Sequence, residues 1–168
     1  MDLRVTNRAN LQYTEWGAGA RRCAVGSGGV AQKIREGDGI TPVGTWPLRR
    51  IFYRPDRIVA PRCVLPVAPL RPDDGWCETP RDPDYNTLVR LPHRSSAETM
   101  WRDDHLYDIV VVVGYNDAPV VAGKGSAIFL HLARADYTPT AGCVALAMPD
   151  LLEALAQLAP NDRLIAAA

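Results

Sequence analysis

The stretch Ala127-Ile128-Phe129-Leu130-His131, followed after a loop by Thr140-Ala141-Gly142-Cys143-Val144-Ala145-Leu146, organises the chain. An apolar run rich in strand formers delivers a histidine at its end. The loop holds Tyr137, Pro139 and Thr140, and a small-residue pair then presents a cysteine ahead of a second apolar run. Across two such strands, a histidine and a cysteine twelve positions apart can meet at one sheet edge. That arrangement suits a thiol nucleophile activated by an imidazole. Only the thiolate is reactive, and a free cysteine of pKa ~8.5 is little ionised at neutral pH, so a base that holds the proton matters. A plainer reading stands beside this one: Cys143 as a small core hydrophobe, His131 as a satisfied polar group. The Gly142-Cys143 step favours chemistry, because glycine admits unusual backbone angles and close approach of a ligand. Successive small residues Ala141 and Gly142 leave backbone N–H groups that can form an oxyanion hole.

Working outward, residues 107–115 include Ile109-Val110-Val111-Val112-Val113, a β-branched run that reads as a fully buried central strand. It ends in the turn Gly114-Tyr115-Asn116-Asp117, close to the site. Residues 144–147 are a short strand. From Pro149 to Leu158, proline in the first turn, early acidic residues and leucines at 151, 152, 155 and 158 predict an amphipathic helix. Residues 163–166 return as a last strand. Upstream, residues 3–6 and 10–14 read as a hairpin around Arg8-Ala9, and 22–25, 30–34 and 45–52 as strands, with Pro47 at an edge or bulge. Gly26-Ser27-Gly28-Gly29 is a hairpin turn; no helix pattern follows that would make it a phosphate cradle. Between residues 53 and 92 eight prolines make the chain irregular. Its aromatics, Trp76 and Tyr85, with Asn86, predict an ordered flap, the two rings either facing a substrate or pinning the loop to the core. Ser95-Ser96-Ala97-Glu98 has the look of a helix start, predicting a short helix to Trp101. The expected fold is mainly β, a sandwich or half-open barrel with one or two covering helices.

Bulk properties narrow the function. The 168 residues fit one domain, 1–168, with enough chain for a proper core. Lys plus Arg equals Asp plus Glu at 19 each, so nothing points to nucleic acid or an acidic membrane surface. No apolar run of about 18 residues predicts a transmembrane helix. The N-terminus has no apolar core of the kind a secretory signal needs, so export by another route, a start further upstream or a removed leader all stay open. Cys23, Cys63, Cys77 and Cys143 allow at most one intramolecular bridge if Cys143 stays a thiol. Their spacing with His93 and His105 matches no zinc pattern; both histidines read as surface or capping residues and no metal site is expected.

Two segments together resemble the L,D-transpeptidase catalytic domain family of the YkuD type. One is His131 with Thr140, Ala141, Gly142 and Cys143. The other is Glu36-Gly37-Asp38-Gly39-Ile40-Thr41-Pro42-Val43-Gly44, about ninety residues upstream and in the expected order. Asp74-Gly75-Trp76-Cys77, Asp84-Tyr85-Asn86 and Gly123-Lys124-Gly125-Ser126-Ala127-Ile128 are similar to a compact bacterial subgroup, and the likeness covers roughly residues 20–160.

The resemblance implies Cys143 as nucleophile, His131 as base, Thr140 supplying a hydroxyl nearby, and no cofactor. Sequence identifies no third group orienting His131; the family's pattern implies a neighbouring backbone carbonyl, that of Leu132. Donor and acceptor would be peptidoglycan stem peptides, carbapenem β-lactams would be covalent inhibitors, and the substrate implies the periplasm or cell envelope. Tyr115, Trp76, Tyr85, Asn86 and Ala141 are the candidate substrate-binding residues beside Arg134. Many relatives carry Arg two positions after the cysteine, where this chain has Ala145. Arg134 either replaces that guanidinium as a carboxylate clamp or is a solvated loop residue. Water in place of an acceptor amine would make the same site a carboxypeptidase or endopeptidase, and a non-catalytic wall-binding domain is the third reading.

Overall fold

A computed structural model describes residues 1–167. In chain order the strands are β1 (Leu3–Arg8), β2 (Leu11–Trp16), β3 (Gly19–Ala24), β4 (Val30–Ala31), β5 (Thr41–Pro42), β6 (Gly44–Tyr53), β7 (Val67–Pro69), β8 (Asp74–Cys77), β9 (Leu88–Arg90), β10 (Ala97–Thr99), β11 (Ile109–Val113), β12 (Phe129–Leu132) and β13 (Val144–Leu146). Helix α1 (Met148–Gln157) and strand β14 (Arg163–Ala166) complete the chain. One sheet runs β11-β12-β13-β3-β2-β1-β14-β6, and pairing of β6 with β11 closes it into an eight-stranded barrel-like sheet, with β7 added beside β6. Closure removes the exposed edges that an open sheet of this length would carry.

The run at β11 is apolar throughout because both of its faces are covered. Ile109, Val111 and Val113 join the main core with Leu130, Leu132, Leu146 and the inner face of α1. Val110 and Val112 join a second apolar cluster with Phe52, Trp76, Met100, Tyr107, Phe129 and Cys143. That second cluster is roofed by a small sheet in the order β10-β8-β9. The period-2 alternation of β12 therefore puts Phe129 and His131 on the roofed face and Leu130 and Leu132 in the main core.

Several local expectations need correction. Residues 97–99 form a strand paired with β8 (Glu98 opposite Trp76), not a helix; the pairing partner β8 overrides the capping signal at Ser95. Residues 53–92 hold three short strands, so the flap is a built sheet. The strand from Val30 stops at Ala31, because the next residues fold round the Asp38 carboxylate, which accepts from the backbone N–H groups of Ile34, Arg35 and Ile40. In α1, Leu151, Ala154 and Leu155 are buried while Leu152 is exposed, so Leu152 lies off the packing stripe. The first hairpin turns at Ala9 and Asn10, both in the left-handed region at φ 49° and 64°, as a tight two-residue hairpin turn requires. Pro47 lies in β6 opposite Arg163, next to a register shift between Val112 and Val113 on the neighbouring strand; its missing N–H falls where the ladder is already irregular.

Candidate active site

Strands β12 and β13 run parallel, with Leu130 opposite Val144 and His131 opposite Ala145. Cys143, one residue before β13, thus lies next to Phe129, whose N–H donates to Sγ at 3.4 Å. The thiol in turn donates to the Ala127 carbonyl at 3.1 Å. His131 Nδ1 lies 2.9 Å from the Leu132 carbonyl oxygen, which fixes the proton on Nδ1 and leaves Nε2 as the basic nitrogen. Leu132 is thus the orienting group that sequence alone did not identify. Cys143 and His131 both line a cleft of about 410 Å³, the size of a small-molecule or peptide site. Burial pushes the Cys143 thiol up to about 12 and, as the largest effect, lowers His131 to about 4. The resting pair is therefore neutral thiol and neutral imidazole. All four cysteines are free, so no bridge ties up Cys143.

The loop that presents Cys143 is tied down by hydroxyls. Thr140 Oγ1 donates to the Cys143 carbonyl at 2.7 Å and accepts from the Gly142 N–H at 3.1 Å. Thr140 thus shapes the turn, and with the Gly142 N–H engaged, Ala141 and Cys143 are left as the N–H donors for an oxyanion. Gly142 has φ 142°, and a Cβ there would lie 2.9 Å from the Ile40 carbonyl oxygen. Only glycine fits. From upstream, Thr41 Oγ1 accepts from the Gly26 N–H at 2.8 Å and donates to the Gly142 carbonyl at 2.9 Å. The Gly-Asp-Gly segment is thereby a brace for the nucleophile loop. Burial alone would raise the Asp38 carboxyl, but the Lys33 ammonium at 2.5 Å and three backbone N–H groups outweigh it and hold it well below the usual carboxylate range.

Trp76, Tyr85, Asn86 and Tyr115 are all buried and turned away from the cleft. Asn86 makes four hydrogen bonds: its Oδ1 accepts from Trp76 Nε1 at 2.9 Å and Ala127 N at 3.0 Å, and its Nδ2 donates to the Tyr115 and Asn116 carbonyls at 3.1 and 2.9 Å. Ala127 has φ 53°, an uncommon conformation for a residue with a Cβ, and its two peptide groups are held by Asn86 on one side and the Cys143 thiol on the other. Such strain persists only where surrounding structure over-determines it. Tyr85 donates to Glu36 and accepts from Gly125 N; Tyr115 donates to the Lys124 carbonyl at 2.7 Å. These residues pin the flap to the loop before β12, for Trp76 and Tyr85 the second of the two readings the sequence left open, and none of the four lines the cleft as the substrate-binding expectation required. Ala141 lines the cleft, as does Arg134, whose half-exposed guanidinium lies 3.8 Å from Asp104.

Three cleft residues were not among the sequence's site candidates, and of these Glu98 was read only as part of a helix cap. Tyr107 packs edge-on against the His131 ring at 5.3 Å between centroids and donates to Glu98 Oε1 at 2.5 Å. Burial raises the Glu98 carboxyl above its usual range. Arg102 lies 5.1 Å above the Tyr107 ring and holds Asp104 in a two-point pair at 2.7 and 2.8 Å. That guanidinium lowers Asp104 to about 2. Only the folding of β10 and the loop after it brings Glu98, Arg102 and Tyr107 to His131. His105 Nε2 donates to the Ala133 carbonyl oxygen at 3.1 Å, outside the cleft.

A family model for the L,D-transpeptidase catalytic domain, YkuD, matches residues 4–165. The chain belongs to that family. The match spans the closed sheet, the flap and the cysteine loop, and the family acts on peptidoglycan peptides. Among curated proteins and among solved structures, none matches the chain. For this L,D-transpeptidase-type domain, among the described residues no helix is long and apolar enough to cross a membrane.

Proposed function

We propose that the protein is a cysteine-dependent peptidoglycan L,D-transpeptidase of the cell envelope. The observation that carries this reading is the pairing of β12 with β13, which puts a thiol and an imidazole with a fixed tautomer on the wall of one cleft. A donor stem peptide displaces the thiol from the Ala127 carbonyl, and His131 Nε2 takes its proton as sulfur attacks the scissile carbonyl. The Ala141 and Cys143 N–H groups receive the oxyanion, each such donor worth ~3 kcal/mol in comparable sites. His131 returns the proton to the leaving amine, which leaves a thioester on Cys143. An amine of a second stem then attacks that thioester, gives up a proton to His131, and departs as the new amide with the thiol restored.

Two products fit: a link between third-position diaminopimelates, or one from first-position L-alanine to third-position diaminopimelate. We favour the second. The position that carries Arg in many relatives is Ala145, opposite His131, and the cleft's guanidiniums come instead from Arg102 and Arg134. A carboxylate clamp moved in this way suits a different donor register. Purified protein incubated with disaccharide-peptides should yield cross-linked dimers, with the bond located by fragmentation mass spectrometry. Free stems or amino acids without dimers would instead make it a hydrolase. A carbapenem should add one covalent mass at Cys143; unchanged wall binding after Cys143→Ala, with no adduct on the parent protein, would leave only a binding domain.

A further inference from the structure

Away from the cleft, at the far end of β8, three side chains of different chemistry converge. One donor atom each from Cys77, Asp82 and His93 lies within 4.8 Å of the others. We propose that these residues form a structural zinc site that clamps the flap, and that Asp84, which lies outside the cluster with Oδ2 3.4 Å from His93 Nε2, swings in from Arg94 as the fourth donor. Tetrahedral zinc holds its ligand atoms roughly 3.3–3.8 Å apart, so the three clustered donors need a closing movement of only about 1 Å.

The surroundings suit a metal. Cys77 is fully buried, and its thiol has no hydrogen-bond partner among the described residues. At these separations the neutral thiol makes no hydrogen bond to the carboxylate or the imidazole, whereas its thiolate is a strong zinc ligand. Asp82 is already oriented: Oδ1 accepts from the Asp84 N–H at 2.8 Å and from Arg94, and Oδ2 accepts from Ser95 Oγ at 2.7 Å. A lone pair remains on Oδ2. His93 Nδ1 lies 3.3 Å from both the carbonyl oxygen and the N–H of Ser95. Without metal the Ser95 N–H donates to Nδ1 and the Nε2 proton faces Asp84 Oδ2, 3.4 Å away; on binding, zinc takes the place of that Nε2 proton and the ring proton moves to Nδ1, where the Ser95 carbonyl accepts it.

Sulfur and imidazole nitrogen among the donors select zinc over magnesium or calcium, which take oxygen. Without metal, Arg94 supplies the positive charge, pairing with Asp82 and with Asp84 at 2.7 Å. Its side chain is 56 % exposed and can swing into solvent when zinc replaces it. Binding releases the Cys77 proton and ties β8 to the turn after it and to the segment leading into β10. The flap residues Glu78 and Glu98 reach the cleft from those same strands, so the metal would stiffen one wall of the site and take no part in the chemistry.

The test uses full-length, tag-free protein carrying Cys143→Ala, so that the cleft thiol cannot bind metal, stripped with a chelator. Cobalt(II) should bind at one equivalent and produce a near-ultraviolet sulfur-to-cobalt charge-transfer band with tetrahedral visible bands. Zinc should displace it with sub-micromolar affinity and raise the unfolding midpoint by about 5–10 °C at a hundredfold excess over its Kd. Cys77→Ser should abolish the charge-transfer band, and His93→Gln and Asp84→Asn should weaken zinc binding by about tenfold or more. Cys23→Ser should change nothing. If Cys77→Ser fails to fold, His93→Gln and Asp84→Asn carry the test. Absence of the band on the folded parent, or zinc affinity unmoved in both His93→Gln and Asp84→Asn, overturns the proposal.

Discussion

The cleft has a floor and a roof, and they are held together by different forces. The floor is β12, β13 and the cysteine loop, set into a closed sheet whose interior is aliphatic: Leu130, Leu132, Val144 and Leu146 are at most 1 % exposed. The roof is the three-stranded sheet of β8, β9 and β10, whose few apolar residues are supplemented by the Asn86 hydrogen bonds and the Arg90–Asp74 and Arg94–Asp82 ion pairs. Burial of aliphatic surface is non-directional and tolerant of small shifts, whereas a buried amide with four partners accepts only one geometry. Placement of the Cys143 thiol thus comes partly from the roof, through Asn86 and Ala127, although Cys143 and His131 belong to the floor.

Substitutions separate the two regions. The largest effect should fall on the floor: Cys143→Ala should reduce cross-link formation by about 10⁴-fold or more while leaving the unfolding midpoint close to that of the parent. Gly142→Ala should come next. Its Cβ meets the Ile40 carbonyl at a backbone angle that disfavours any side chain, so turnover should fall by about a hundredfold, with ~1–3 kcal/mol lost in urea unfolding. In the roof, Asn86→Ala strands the Trp76 and Ala127 N–H groups and should cost ~2–4 kcal/mol of stability. If its turnover, measured on the folded fraction, also drops, then the roof positions the thiol; unchanged turnover would confine Asn86 to stability. Arg134→Ala should do least, raising KM by a few fold with kcat preserved, because the guanidinium is half exposed and only loosely placed, 3.8 Å from Asp104.

Acid sharpens the same contrast. The largest influence on His131 is burial, which lowers it from an ordinary 6.5 to about 4, so the acid limb of kcat/KM should fall near pH 4. The sign for stability follows from proton counting. Between 6.5 and 4 the unfolded chain binds a proton that the native imidazole refuses, so stability declines as pH falls through that window. Cys143 acts at the other end: with its thiol pushed up to about 12 from an ordinary 9, stability declines as pH rises above about 9. An acid limb near 6.5 would mean that His131 is solvated in the working enzyme.

Local chemistry made the floor legible. The β-branched run at 109–113, the apolar segments on either side of the cysteine loop and the Pro149 helix each bury against something close to what their own patterns require. The roof was less legible, and Glu98 shows why. Ser95-Ser96-Ala97-Glu98 reads as a helix cap, yet β8 offers a strand edge, and pairing Glu98 with Trp76 sends the carboxylate to Tyr107 instead. Trp76 and Tyr85 pointed to an ordered flap, but composition could not tell a ring pinned to the core from one facing a ligand, and as substrate-binding candidates both lie outside the cleft lining. Arg102 and Tyr107 left no trace because Arg102 meets the Tyr107 ring, and Tyr107 meets His131, only once the fold assembles them.

The order of residues alone determined that a thiol and an imidazole follow two apolar strands, that glycine precedes the thiol, and that the chain is mainly β, since strand periodicity and backbone freedom are local properties. Tertiary structure decided which nitrogen of His131 is basic, that Thr41 braces Gly142 from a hundred residues away, and that Asn86 supports the nucleophile without lining the cleft. These are directional bonds between segments distant in sequence, and their partners acquire positions only once the sheet has closed.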